Sequence, residues 1–300
     1  MAIINNAHRG SQINLLCLIY RVIRRAKSPL TDDEIIDICR PETLLRKTDH
    51  KKRFTGELSF WKDPQHQLWK NNDENKLELK FVTSSENPTP MDIANITRAA
   101  LFAINIDDIM GDNEHDIESL LRTLSCILAS GRFLPIDNAT IDKQSLDALL
   151  SELLPNHPLN DSEKPTLLEY GQFLGFLEPY KGCYFVDPTN AVLSVLPNIF
   201  TDVNTLTIKE FLKKLGGYIP ILDNGDYQIQ VKQVMSQHGW SPDKESNISS
   251  ALSHALARLS LDKVLRYETT SDDPQAMNMQ LPTRSQLVST ISFMGGMSDA

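Results

Sequence analysis

The sequence predicts a mainly helical protein that carries small antiparallel hairpins. Apolar residues recur at helical spacing in segment after segment, and polar turns rich in Asn, Asp and Gly separate short alternating runs. A helix followed by such a run occurs three times along the chain. With 300 residues and 41% hydrophobic content, the chain is long enough to bury two or three cores.

From Ser11 to Ala26, Ile13, Leu16, Leu18, Ile19, Val22 and Ile23 fall on a helical stripe. Arg21, Arg24 and Arg25 gather toward its end, where cations complement the helix dipole. In "SPLTDDEIIDICRP", Thr31 with Glu34 makes a capping-box pattern ahead of Ile35, Ile36 and Ile38, and Pro41 stops this second, short helix. In "RKTDHKKRFTGELSFW", Phe54, Leu58 and Trp61 are spaced i, i+4 and i+7. One face of a third helix therefore packs inward while Lys51, Lys52, Thr55 and Ser59 point elsewhere. "HQLWKNNDENKLELKFV" then reads as an apolar segment, a polar turn and a strand with Leu77, Leu79 and Phe81 on one face.

"SENPTP", residues 85 to 90, is the clearest linker. Beyond it, "MDIANITRAALFAINI" and "DIESLLRTLSCILASG" are amphipathic helices, the second closed by Gly131. The helix-plus-hairpin order returns in "TLLEYGQFLGFLEPYKGCYFVDPT", with a helix over Leu167 to Leu177, a turn at Lys181 and Gly182, and the strand "CYFV". "GGYIPILDNGDYQIQ" carries Asn224-Gly225, a hairpin signal, with Pro220 pointing to an edge position. In the last unit a helical face of Leu252, Leu256 and Leu259 leads to a strand near Val264 to Thr269, a turn "SDDP" and a return strand near Met277 to Leu281. These elements divide into an N-terminal unit (1–84), a helical linker with a second unit (91–200) and a C-terminal unit (201–293).

Charge is divided unevenly. Residues 1–81 carry a formal +4 and the remainder −13. The front of the chain therefore suits a polyanion, and the acidic body suits protein partners. The run "INLLCLIYRVI" is broken by Arg21 and is shorter than the roughly 18 apolar residues of a membrane span. It also lacks the order of a secretory signal, so the reading is cytoplasmic, with no membrane partner.

Cys17, Cys39, Cys126 and Cys183 are widely spaced and read as buried free thiols. No P-loop, dinucleotide-binding, zincin or nucleophile-elbow motif is present, so no catalytic residue, metal or cofactor is expected. Asp112, Glu114, His115 and Asp116 form the densest acidic patch. Its plain reading is a cap, by Asp112 or Asn113, on the helix that follows.

The order helix, helix, helix, hairpin resembles the winged-helix fold, and most of the chain is similar in layout to tandem winged-helix units linked by helices. That resemblance implies that the third helix enters a major groove while the hairpin lies along the backbone. Lys51, Lys52 and Arg53 would then meet phosphate near the start of the recognition helix, Arg46 and Lys47 would come from the loop before it, and Lys70 and Lys76 from the wing. The plainer reading is a solvated basic loop, neutralised in part by Asp49 and Glu57.

The second unit offers Glu169, Tyr170, Gln172 and Glu178 where a phosphate-binding helix would offer cations. In the third, Ser249, Ser250, Ser253, His254 and Arg258 lie off the leucine face. "SSALSHALARLSLDKVLRYETTSDDP" resembles winged-helix segments of bacterial DNA-associated proteins. The chain also resembles the DpdG-like accessory proteins of bacterial islands that install deazaguanine bases in DNA as part of phage defence. This second resemblance implies a setting and no residue roles. The expected function is a non-enzymatic adaptor that contacts DNA through its front and binds the proteins of a larger complex through its acidic remainder. A scaffold that binds only protein and a transcriptional regulator are the alternatives.

Overall fold

The computed structural model describes residues 3–4, 11–39, 48–111, 116–130, 136–137, 146–161, 163–241, 244, 246–270 and 273–295. Within it the chain forms two compact units, Met1–Ile106 with Glu114–Ile117, and Asp107–Asn113 with Glu118–Ala300. Eleven helices and small two- and three-stranded sheets make up the described residues, the mainly helical class expected.

In the first unit, α1 (Ile13–Arg25) turns Leu16, Cys17, Ile19 and Tyr20 inward, with Arg24 and Arg25 in its last turn. α2 (Asp32–Cys39) begins with the capping box expected: Glu34 N donates to Thr31 Oγ1 at 3.3 Å, and Thr31 N donates to the Glu34 carboxylate at 2.7 Å. α3 (Thr48–Phe60) and the residue after it bury Phe54, Leu58 and Trp61. The antiparallel pair β1 (Trp69–Asn71) and β2 (Leu77–Leu79) follows, in the register Trp69↔Leu79. Its turn holds Asn75 at φ 59°, and Leu30, just ahead of α2, bridges to Leu77. Trp69 is locked to α3 by its indole N–H, which donates to the Leu58 carbonyl at 3.0 Å. After the linker, α4 (Pro90–Phe102) starts at a Thr89–Asp92 capping box with proline at its first position.

The second unit runs α5 (Glu118–Ala129), β3 (Ile136–Asp137), α6 (Leu146–Leu153), α7 (Glu163–Phe173), β4 (Leu177–Tyr180), β5 (Cys183–Val186) and α8 (Thr189–Ile199). It continues with β6 (Thr205–Thr207), α9 (Ile208–Tyr218), α10 (Asp226–Gln237), β7 (Asn247–Ile248), α11 (Ser250–Leu261), β8 (Leu265–Glu268), β9 (Met277–Leu281), β10 (Arg284–Val288) and β11 (Thr290–Phe293). α5 is buried along nearly its whole length, with α10 and α6 packed on it. The hairpin at Lys181-Gly182 forms as expected, both residues having positive φ (47° and 84°), and β3 adds to its β5 edge. The helix before it ends at Phe173 rather than Leu177. Gly171 lies so close to Leu177 that a Cβ there would sit 2.6 Å from the leucine Cδ1, and Gly175 at φ 79° turns the chain into β4.

Two expected hairpins are replaced. Asn224-Gly225 does not join strands; it joins α9 to α10, with Asn224 at φ 62° and Gly225 as the N-cap of α10. The dipeptide supplies a positive-φ turn but does not choose what flanks it. The flanks are helical because Thr207 and Glu210 form a capping box ahead of the stripe Ile208, Phe211, Leu212 and Leu215. The small residue is needed for another reason, since a Cβ on Gly225 would lie 2.3 Å from the Pro220 carbonyl oxygen. Second, β9 does not return along β8. It pairs antiparallel with β10 and parallel with β7, while β8 lies beside β11 in the order β6-β11-β8. Ser289 separates β10 from β11: its N–H donates to the Glu268 carbonyl, and its own carbonyl accepts from Ile208 N, carrying the chain from one sheet into the other.

Candidate nucleic-acid interface

The candidate surface is built on α3. Phe54, Leu58 and Trp61 fix its inner face at 6%, 0% and 0% exposure, and Lys51, Lys52 and Arg53, in the turn leading to Phe54, are exposed. Arg46, Lys47, Asp49 and Gly131, with the acidic residues 112–115, fall outside the residues whose side chains are described.

Glu57 does not offset the basic run. It faces inward at 2% exposure and accepts from Ser11 Oγ at 2.5 Å, Gln12 N at 2.6 Å and Trp61 Nε1 at 2.9 Å. Burial pushes its carboxyl up to about 7, against the partial opposition of those three donors. Its role is to tie the segment before α1 to α3.

The charge that does meet the cations comes from the first turn of α2. Asp33 pairs with Lys51 at 3.2 Å and Asp32 with Lys62 at 2.5 Å. In the hairpin turn Lys76 pairs with Glu74 at 2.8 Å, and that hydrogen bond, with a smaller contribution from Glu34, holds its ammonium above the usual lysine range. The acids of α2 serve its dipole, and folding sets Asp33 and Asp32 against basic side chains 18 and 30 residues away in sequence. Exposed pairs of this kind are weak in water and exchange readily for phosphate. Lys52 and Arg53 on α3 and Lys70 on β1 are exposed and make no ion pair among the described residues. The structure thus separates the seven expected cations into two paired, three unpaired and two outside the described residues.

Among the described residues, α7 and α11, which stand where the second and third helix-plus-hairpin segments were expected to match α3, carry no comparable row of exposed, unpaired cations. On α7, Tyr170 is buried and Glu169 and Gln172 are exposed, while Lys164 is held by Asp147 at 2.5 Å and Asp161 at 2.7 Å. On α11, Ser249, Ser250 and Ser253 are buried: the Ser249 hydroxyl donates to Asp223 at 2.6 Å and Ser253 Oγ accepts from Gln280 N at 2.9 Å. Arg258 binds Glu178 and the buried Asp187, bridging α11 to the β4–β5 hairpin and the start of α8. Of the residues off the leucine face, further packing covers Ser249, Ser250 and Ser253, while His254 and Arg258 are half-buried.

Cys17, Cys39 and Cys126 are buried and Cys183 is half-buried, none of them in a disulfide. Burial raises Cys17 and Cys39 to about 11. Among the described residues no group of three or more His, Cys, Asp or Glu side chains is placed to hold a metal ion, and no helix is long and apolar enough to cross a membrane.

These features define a mainly helical chain whose first unit carries an exposed cationic helix end beside a short hairpin. The chain belongs to the DpdG-like family, whose model matches residues 1–273. That membership fits the DNA-modification or defence setting implied by the sequence resemblance. No curated protein and no solved structure matches the chain.

Proposed function

We propose that the protein is a non-enzymatic adaptor whose first unit contacts DNA in the manner of a winged helix, α3 toward the groove and the β1–β2 hairpin along the backbone. The observation that carries this reading is the exposed, unpaired Lys52 and Arg53 at the front of a helix whose opposite side is anchored by Phe54, Leu58 and Trp61. Lys70, and Lys51 and Lys76 once released from their acids, add to it, with Arg46 and Lys47 from the preceding segment. Cations in this arrangement position a duplex without reading its bases. The acidic remainder engages the partner proteins of a DNA-modification or phage-defence system and keeps clear of the polyanion. Anisotropy titration of a labelled duplex tests the reading. Lys51→Glu/Lys52→Glu/Arg53→Glu is expected to abolish binding at low salt, and equal binding by variant and wild type would remove the surface.

The pairing of Lys51 and Lys76 with carboxylates favours a second reading, in which the first unit binds only protein. It predicts no duplex affinity even at low salt, together with a stable complex on co-purification from the native host.

A further inference from the structure

The C-terminal half of α1 has a second stripe beside its core-facing one. Leu18, Arg21, Val22 and Arg25 follow at i, i+3, i+4 and i+7, so they share one side of the helix. With the turn after α1, the end of α2 and the segment leading into α4, this side encloses a cleft of about 840 Å³ that belongs wholly to the first unit. That volume is within the range of roughly 300–1,000 Å³ typical of ligand clefts.

The cleft has two kinds of lining. Leu18, Val22, Leu30, Ile38 and Pro88 supply aliphatic surface. Leu18 is 37% and Ile38 59% exposed, although the neighbouring isoleucines of α2, Ile35 and Ile36, are buried. Arg21, Arg25 and Lys27 supply charge, and no Asp or Glu is among the lining residues. Arg21 is steadied by its Nε–H, which donates to the Pro88 carbonyl at 3.0 Å, whereas Arg25 and Lys27 make no ion pair among the described residues.

We propose that this cleft docks an acidic segment of a partner protein, seated by two or more aliphatic side chains at helical spacing. Its carboxylates meet Arg21, Arg25 and Lys27. The charge sets the sign of the partner and the exposed Leu18 and Ile38 set its apolar anchors, which is the helix-in-groove mode of recognition. A nucleic acid fits less well, because single-stranded bases seat on aromatic rings and the lining contains none. The site uses side chains separate from Lys52, Arg53 and Lys70, so one unit would hold DNA and a partner on different surfaces.

The test uses the full chain and two labelled 16-residue peptides. Both carry leucines spaced i, i+3 and i+7; one has glutamate at the remaining charged positions and the other lysine. Saturable binding of the glutamate peptide, weakened by salt, with no binding of the lysine peptide, is expected. Ile38→Glu and Arg25→Glu, both at solvent-exposed or half-exposed positions, are each expected to lower affinity about tenfold or more, as loss of an interface anchor does. Lys52→Glu/Arg53→Glu is expected to leave peptide affinity unchanged, which separates this proposal from the DNA reading. No binding of the glutamate peptide, equal binding of both peptides, unaltered affinity in folded Ile38→Glu and Arg25→Glu variants, or competitive displacement by duplex DNA would each overturn it.

Discussion

Glu57 is the most exacting point in the first unit, because a carboxyl that links the segment before α1 to α3 is held almost out of water. Its pKa lies near 7 in the folded chain against 4.5 for the ordinary group. The folded state therefore keeps the proton after the unfolded state has lost it. The stabilisation is complete below pH 4.5, declines as pH rises toward 7, and is gone above that. At about 1.4 kcal/mol per pKa unit, the interval corresponds to roughly 3 kcal/mol. Glu57→Gln keeps the shape and one acceptor oxygen, for Ser11 and Trp61, sets its amide NH2 against Gln12 N–H at a constant cost, and removes the titration, so the change with pH is what is compared. Urea unfolding of both chains between pH 5 and pH 8, followed by tryptophan emission in a Trp240→Phe background, reports on Trp61 and Trp69 in the first unit. The Glu57→Gln variant is expected to gain about 2–3 kcal/mol on wild type across that range, most of the full interval. A difference that stays constant with pH would refute the reasoning, since a merely polar Glu57 would give parallel curves.

Other substitutions test the packing and the surface. Leu58→Ala, at a fully buried position beneath the cationic helix end, is expected to cost about 2–5 kcal/mol in urea unfolding and to weaken DNA binding by loosening α3. Arg258→Ala leaves Asp187, 4% exposed, without its cation. A loss of about 1–3 kcal/mol is expected in the second unit, read from Trp240 emission in a Trp61→Phe/Trp69→Phe background. Gly225→Ala places a Cβ against the Pro220 carbonyl and is expected to lower the thermal midpoint, although its φ of −82° suits alanine. Asp33→Asn frees Lys51 and is expected to tighten duplex binding at low salt, an effect that fades as salt rises.

What the sequence made legible follows the reach of the forces involved. Thr31 with Glu34, the Phe54–Leu58–Trp61 stripe and the Lys181-Gly182 turn act within a few residues, and each appears where its spacing places it. Asn224-Gly225 shows the limit of such signals, because a positive-φ turn serves two helices as readily as two strands. The β8–β11 and β7–β9 pairings depend on Ser289 and on partners tens of residues apart, which no local pattern encodes. The candidate surface divides the same way. Exposure of Lys52 and Arg53 follows from helical phase, but Lys51, three residues before Phe54 and near the buried phase, is set outward beside the acids of α2, and Glu57 is turned inward, by tertiary contact. The inward turn of Glu57 does leave a trace in the sequence, since it stands four residues before Trp61 and one before Leu58, close to the buried phase of the helix.

The salt dependence of duplex binding tests the central claim most directly, because each phosphate neutralised contributes about −0.9 to the slope of log K against log salt. With Lys52, Arg53 and Lys70 engaged, the wild-type slope is expected at about −3 or steeper, and Lys52→Ala/Arg53→Ala is expected to flatten it by about 2. An unchanged slope in the folded double variant, or no duplex binding by wild type at low salt, would contradict the account.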